Sequence, residues 1–254
     1  MTPTILVTGG TGTLGRHTTP LLRAAGHELR VLSRHEREAA DGIEYVACDL
    51  IEGDGIEPAL DGIETVLHLA GANKGDDVAT ANLVRAAARA GVRHFVYISI
   101  IGADRVPIGY LKTKLRAEQA VAGSGIPFTI LRAAQFHELV LTMARTMTRL
   151  PVTPVPGGLR LQPVAAREVA VRLAELTLGE PAGYVPDLAG PKLYDFGELT
   201  ADYLAAHGKR RRPRLPLRLP GKTGRAYRAG ENLSLDAAET GEQTWEQFLA
   251  EQPR

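Results

Sequence analysis

Ile5-Leu6-Val7-Thr8-Gly9-Gly10-Thr11-Gly12-Thr13-Leu14-Gly15 is the stretch that decides the fold. Its apolar run reads as a strand buried on both faces. It then breaks into glycines and resumes as a helical pattern carried by Leu14, Leu21 and Leu22 with Ala24 and Ala25, ending near Gly26. Gly9 permits a sharp turn off the strand, Gly12 lets the backbone approach an anion, and Gly15 lets the helix pack closely on the sheet. The helix aims unpaired N–H groups and the positive end of its dipole at whatever negative group enters the turn. Glycines at this spacing occur in many tight turns; the strand before and the helix after make them a pyrophosphate-binding pattern.

Outward from this unit the chain alternates strands and helices. Strands are expected over 27–33, 43–48, 63–69, 92–98 and 127–131, with longer helices over 76–90 and 110–122. That rhythm predicts an α/β fold with a doubly wound parallel sheet, its ligands beyond the carboxyl ends of the strands. Near residue 150 the rhythm weakens at Pro151, Pro154, Pro156, Gly157 and Gly158. Residues 1–150 are therefore read as a nucleotide-binding core and 151–254 as a smaller C-terminal substrate lobe packed on it as one structural unit. In the lobe, helices are expected over 168–178, 196–206 and 245–251 and a short strand over 184–188, with Trp245 anchoring the last, capped helix.

The 254 residues carry 30 Lys and Arg against 29 Asp and Glu, a net charge of +1. Such a balance offers no global field for nucleic acid or an anionic membrane, so neither is expected as a partner and any such binding must be local. Cys48 is the single cysteine and no Cys/His spacing suggests a metal site, which fits a reducing cytoplasm. The strand begins within residues 1–8 without a leader pattern, and no apolar run approaches the length of a bilayer span. A soluble cytoplasmic protein acting on a small molecule is the expectation; a homodimer is open.

Candidate binding residues follow the strands. Ser33 and Arg34 end the second strand, where a carboxylate would select NAD; a hydroxyl and a guanidinium suit the 2′-phosphate of NADP instead, or Arg34 is simply solvated. Asp49 and Leu50 follow the third strand and suit an adenine ring, although an Asp capping the next turn would look the same. Ala70-Gly71-Ala72 follows the fourth strand. Ser99 follows the fifth, and Tyr110 and Lys114 stand four apart on the helix beyond it. A phenol titrates near pH 10 unless positive charge stabilises its phenolate, so the reading is Ser99 orienting a substrate oxygen, Tyr110 moving the proton, and Lys114 either acidifying the phenol or anchoring the ribose.

These motifs together resemble the short-chain dehydrogenase/reductase superfamily and, within it, the atypical NmrA-like NAD(P)H-binding branch. The resemblance rests on residues 8–15, on Val66-Leu67-His68-Leu69-Ala70-Gly71, on Asn82-Leu83-Val84, on Gly91-Val92 before Phe95-Val96-Tyr97-Ile98-Ser99, and on Thr129-Ile130-Leu131-Arg132. It implies a Rossmann fold with a small substrate lobe, and that Thr11, Thr13, Leu14, Arg34, Ala70 and Gly71 border the cofactor. After Arg132 the family commonly has proline, whereas this chain has Ala133-Ala134-Gln135-Phe136.

Gln135, Phe136 and His137 follow the sixth strand on the expected substrate side, either touching substrate or packing at a helix start. His68 reads as a core histidine, and Asn82 as a brace beside Ser99 or an exposed polar residue. Lys209-Arg210-Arg211-Arg212 with Arg214 and Arg218 reads as a solvated loop or a contact for an anionic substrate or partner. The function expected is an NADPH-dependent oxidoreductase of a small, largely apolar carbonyl, enone or quinone-like compound. The alternatives are an NADP(H)-sensing regulator without turnover and an isomerase that retains its cofactor.

Overall fold

The computed structural model describes residues 4–39, 41–71, 74–235 and 239–252. In chain order the elements are β1 (Thr4–Thr8), α1 (Gly15–Ala24), β2 (Leu29–Ser33), β3 (Ile43–Ala47), α2 (Ile56–Ala59), β4 (Ile63–His68), α3 (Asp76–Ala90), β5 (His94–Ile100), α4 (Gly109–Ala122) and β6 (Phe128–Ala133). They continue with α5 (His137–Met147), β7 (Thr153–Gly157), β8 (Arg160–Leu161), α6 (Ala166–Leu178), β9 (Gly183–Tyr184), β10 (Leu188–Ala189), β11 (Tyr194–Asp195), α7 (Phe196–Ala206), β12 (Arg214–Arg218), α8 (Gly221–Ala229), β13 (Glu239–Thr240) and α9 (Trp245–Ala250). Two compact units share them through interleaved segments. The first takes residues up to Ser99, Lys112–Leu131 and Arg167–Val185; the second takes Ile100–Leu111, Arg132–Ala166 and the chain from Pro186 onward.

In the first unit the strand order is β6-β5-β4-β1-β2-β3, with β9 beside β6. The β1–β2, β2–β3, β1–β4 and β4–β5 pairs are all parallel, so the α/β Rossmann-type sheet is present as the strand rhythm predicts. Construction reverses direction at β1, with β2 and β3 to one side and β4, β5 and β6 to the other. Ligands bind beyond the carboxyl ends of the strands at such a switch.

Register explains why that end is polar. Leu6 pairs with Val66 and Val66 with Phe95 across β1, β4 and β5, and all three are fully buried in one cluster with Leu83 and Ala87 of α3 and Ala117 and Val121 of α4. Each large apolar side chain buried there stabilises the fold by about 1.5–3 kcal/mol. Two residues further along each strand, on the same face, the row reads Thr8, His68, Tyr97. Polarity therefore enters the core at the carboxyl edge.

In the second unit Val140 and Ala144 of α5, Phe196, Leu199 and Tyr203 of α7, and Trp245 and Phe248 of α9 form one buried cluster. Thr244 and Gln247 make the capping box that starts α9, and the Trp245 indole N–H donates to the Leu199 carbonyl at 3.2 Å. The strand expected over 184–188 is divided instead: Gly183 pairs with Thr129, and Leu188 pairs with Ala133. Pro186 between them has no N–H to give a ladder. Helix α5 is not evident from the sequence because Thr142, Thr146 and Thr148 dilute its pattern. The structure settles these hydroxyls on the carbonyls of Glu138, Thr142 and Ala144. Among the described residues no helix is long and apolar enough to cross a membrane.

Candidate functional site

The glycine turn has the geometry of an anion cradle. Gly9 adopts φ +68°, and a Cβ there would stand 2.6 Å from the Ala70 nitrogen, so the β1 and β4 ends touch only because position 9 has no side chain. The Gly12 N–H donates to the Gly9 carbonyl at 2.9 Å and closes the turn. Thr11 and Gly12 are exposed, Thr13 is half-buried and Leu14 is buried. Helix α1 starts without a side-chain cap, which leaves its positive end to the turn. A Cβ at Gly15 would overlap the Gly10 backbone, and a Cβ at Gly10 would in turn stand 2.8 Å from the Val31 side chain of β2.

At the end of β2, the Ser33 Oγ accepts from the His35 N–H at 3.3 Å, and Arg34 is exposed with no ion-pair partner among the described residues. Its charge is available to an incoming anion. Arg37 instead lies 5.9 Å from the Tyr45 ring. Asp49 is exposed and its Oδ1 caps the Ile51 N–H at 2.8 Å, while Leu50 packs against the main core cluster. Asn82 does not brace the strand beside Ser99; its amide donates to the carbonyls of Leu50 and Ile51, both at 3.0 Å. Cys48 is buried, its thiol donating to the Asp54 carbonyl, and burial raises its pKa.

Beneath the loop lies a buried polar network. The Ala70 N–H donates to Thr8 Oγ1 at 3.1 Å, and that hydroxyl lies 2.6 Å from His68 Nδ1. His68 Nε2 is 3.0 Å from Thr80 Oγ1, whose own hydrogen goes to the Asp76 carbonyl at 2.7 Å. Thr80 must therefore accept from Nε2–H, which leaves Nδ1 to accept from Thr8 and assigns a neutral imidazole. Full burial, with the nearby Lys114 charge adding to it, holds the His68 pKa down at about 3. The ring stacks on Tyr97 at 5.4 Å.

Lys114 completes the network. Its Nζ lies 3.1 Å from Asp76 Oδ2, donates to the Tyr97 hydroxyl at 3.1 Å, and approaches the Ile98 carbonyl at 3.5 Å. A Cβ on the exposed Gly71 would stand 3.5 Å from this ammonium, an ordinary contact, so position 71 borders the buried Lys114. Ala72 lies outside the described residues. One turn further along α4, Glu118 is fully buried and accepts the Ser99 hydroxyl at 2.5 Å. The hydrogen that Ser99 was expected to offer a substrate oxygen is thus directed at a carboxylate.

Asp76, Tyr97 and Glu118 were missed in the sequence. Two of the three carry a periodic signal: Tyr97 is two before Ser99 on one strand face, and Glu118 is four after Lys114 on one helix face.

The remaining expected residues fall elsewhere. Tyr110 occupies the first turn of α4, in a segment assigned to the second unit, and is 37% exposed, whereas Lys114 belongs to the first. Phe136 forms a bridge with Val164, and the Gln135 carbonyl accepts from the Val164 N–H. His137 is fully buried, stacked on Phe248 at 4.9 Å with its Nε2 3.1 Å from the Gln243 carbonyl. These contacts pack the ring at the start of α5. Among the described residues no cluster of His, Cys, Asp and Glu could hold a metal ion.

A family model described as NAD(P)H-binding matches residues 9–158, which include Gly9 to Gly15, His68, Asp76, Tyr97 and the whole of α4. The chain belongs to the NAD(P)H-binding family. Curated relatives of this NAD(P)H-binding protein include quinone oxidoreductase 2 of Escherichia coli, 27% identical over 81% of this chain and 75% of the relative. A Streptomyces griseus (4-alkanoyl-5-oxo-2,5-dihydrofuran-3-yl)methyl phosphate reductase is 30% identical over 93% of this chain and 79% of its own length. The NAD(P)H azoreductase of Xenophilus azovorans is 29% identical over 81% and 74%. Among solved structures, the E. coli NADPH-dependent quinone oxidoreductase in complex with NADPH shares the fold, with a TM-score of 0.82 at 22% identity over 97% of this chain and 98% of that one.

Proposed function

We propose that this chain is an NADPH-dependent oxidoreductase that reduces a small, largely apolar carbonyl, enone or quinone-like compound. The observation that carries the reading is the buried Lys114 ammonium, held by Asp76 and Tyr97 beside the exposed Gly71 at the end of β4. Family membership and the names of the relatives, a quinone oxidoreductase, an azoreductase and a furanone phosphate reductase, support it. The residues present fit the cofactor: an uncapped helix start behind a glycine turn for the pyrophosphate, and an unpaired Arg34 beside Ser33 for a 2′-phosphate.

Bound NADPH supplies the hydride. An ammonium has three N–H donors, and two of those of Lys114 are firmly held by Asp76 and Tyr97 while the 3.5 Å approach to Ile98 is long. The third donor is the one that can turn to a ribose hydroxyl. Asp76 and Tyr97 fix where it stands, and Ser99 with Glu118 ties β5 to α4 so that the network keeps its shape. Tyr110, one turn before Lys114 on the same helix, is assigned the proton that follows the hydride.

The test is NADPH oxidation by the purified protein over a panel of quinones and enones, with Tyr110→Phe alongside. Turnover of one panel member, lost in Tyr110→Phe while NADPH affinity stays, is the expected result. Unchanged turnover would remove Tyr110 from the reaction, redox-selective NADP(H) binding without turnover would assign a sensing role, and no binding of either nicotinamide form would overturn the reading.

A further inference from the structure

The near-neutral charge of the chain conceals a strong segregation. Residues 208–230 contain nine of the 30 Lys and Arg and none of the 29 Asp and Glu, so this segment carries +9 and the rest of the chain −8. Local charge of this density acts on its surroundings over a Debye length of about 8–10 Å; Asp195 and Asp202 lie close to Arg214 and offset part of it.

The segment folds as a ribbon. Strand β12 pairs in parallel with β7 alone, in a two-stranded sheet, and every residue of β12 is exposed. Its sequence Arg214-Leu215-Pro216-Leu217-Arg218 alternates, placing Leu215 and Leu217 on one face at 51% and 44% exposure with arginines at both ends. Leu150 and Val152, immediately before β7, are exposed as well. Arg210, Arg211, Arg212, Arg218, Lys222 and Arg225 are all exposed, and none is paired with a carboxylate among the described residues.

Exposed leucines set within unpaired cations are the composition that an anionic bilayer recognises: the guanidinium groups meet headgroup phosphates and the leucines enter the acyl boundary. Nucleic acid fits less well. The only aromatic residue of the segment, Tyr227, is half-buried against neighbouring cores, so nothing is presented to stack on bases, and leucines gain nothing from a phosphate backbone. We propose that the β12 ribbon docks this protein on the surface of an anionic membrane. The inference is independent of the redox reading and survives its failure.

Co-sedimentation of the full chain with phosphatidylcholine vesicles, with and without phosphatidylglycerol, tests it at about 0.1 M salt. Binding is expected only to the anionic vesicles, and it weakens as salt rises. Arg211→Glu with Arg212→Glu should lower partitioning at least about twentyfold, since each basic residue near such a surface contributes on the order of a fivefold factor. Leu215→Ser with Leu217→Ser should lower it about tenfold while shifting the thermal midpoint only slightly, because each residue is already about half exposed in the free protein. Absence of binding, equal binding to neutral vesicles, indifference to either double substitution, or retention of single-stranded oligonucleotide in place of vesicles would each overturn the proposal.

Discussion

The Lys114 ammonium lies 3.1 Å from a carboxylate oxygen of Asp76, with the two side chains only 6% and 2% exposed. Helix α4 brings the cation and the start of α3 brings the anion, so an ion pair of two distant residues is fixed inside the first unit. Removing one partner of a buried pair leaves the other charge uncompensated. Lys114→Met should therefore cost about 3–5 kcal/mol of unfolding free energy, and Asp76→Asn combined with Lys114→Met should restore most of it. Urea unfolding of the two single variants and the double variant reads the coupling directly; purely additive losses would dissolve the pair.

His68 makes stability depend on pH. Its folded-state pKa of about 3 lies below the ordinary value of 6.5, so between those limits the unfolded chain binds a proton that the native protein does not. Stability is then fully present above about pH 6.5 and falls as the medium is acidified, by about 2 kcal/mol at pH 5. Chemical denaturation at pH 7.5 and pH 5 should show this loss, and His68→Asn should be less stable at pH 7.5 yet show a smaller loss on acidification.

The glycines of the turn separate stability from binding. Gly9→Ala meets both a left-handed backbone and the Ala70 nitrogen, so it should lower the thermal midpoint clearly. At Gly12 a Cβ would meet only the Gly9 carbonyl, at a tight 3.2 Å, so Gly12→Ala should lower the midpoint less than Gly9→Ala does. Calorimetric titration with NADPH should show affinity about tenfold weaker in Gly12→Ala, because in the proposed reading the pyrophosphate approaches the backbone at position 12.

Arg34 is the expected reader of the 2′-phosphate. Arg34→Glu should shift the ratio of NADPH to NADH affinity toward NADH by about tenfold to a hundredfold, the value of one charge-assisted hydrogen bond plus the repulsion introduced. An unaltered ratio would mean that the guanidinium stays in solvent.

Ser99 is assigned to structure. Since its hydroxyl hydrogen is on Glu118, Ser99→Ala should destabilise the fold by about 1–3 kcal/mol while leaving the KM for the oxidant unchanged. A rise in KM without loss of stability would return Ser99 to the substrate.

Local patterns made much of this legible. The strand Ile5-Leu6-Val7, the glycine turn and the alternation that follows gave the parallel sheet, and helix α3 falls on the bounds that its alanine-rich run predicts. Lys114 and Ser99 were found by their places after a strand and on a helix. Their partners were not, because Asp76 looked like an ordinary acid at a helix start and Tyr97 like one more core aromatic.

The chain's own order of residues determined where the glycine turn is and which strand end holds Arg34, since these depend on neighbours a few positions apart. Which hydroxyl meets which carboxylate was decided only by tertiary structure. Register sets Thr8, His68 and Tyr97 side by side, two helices then close over that row, and burial makes each contact there count. The same holds for the basic ribbon: a net charge is a sum over the chain, but what a surface attracts depends on which charges the fold leaves together.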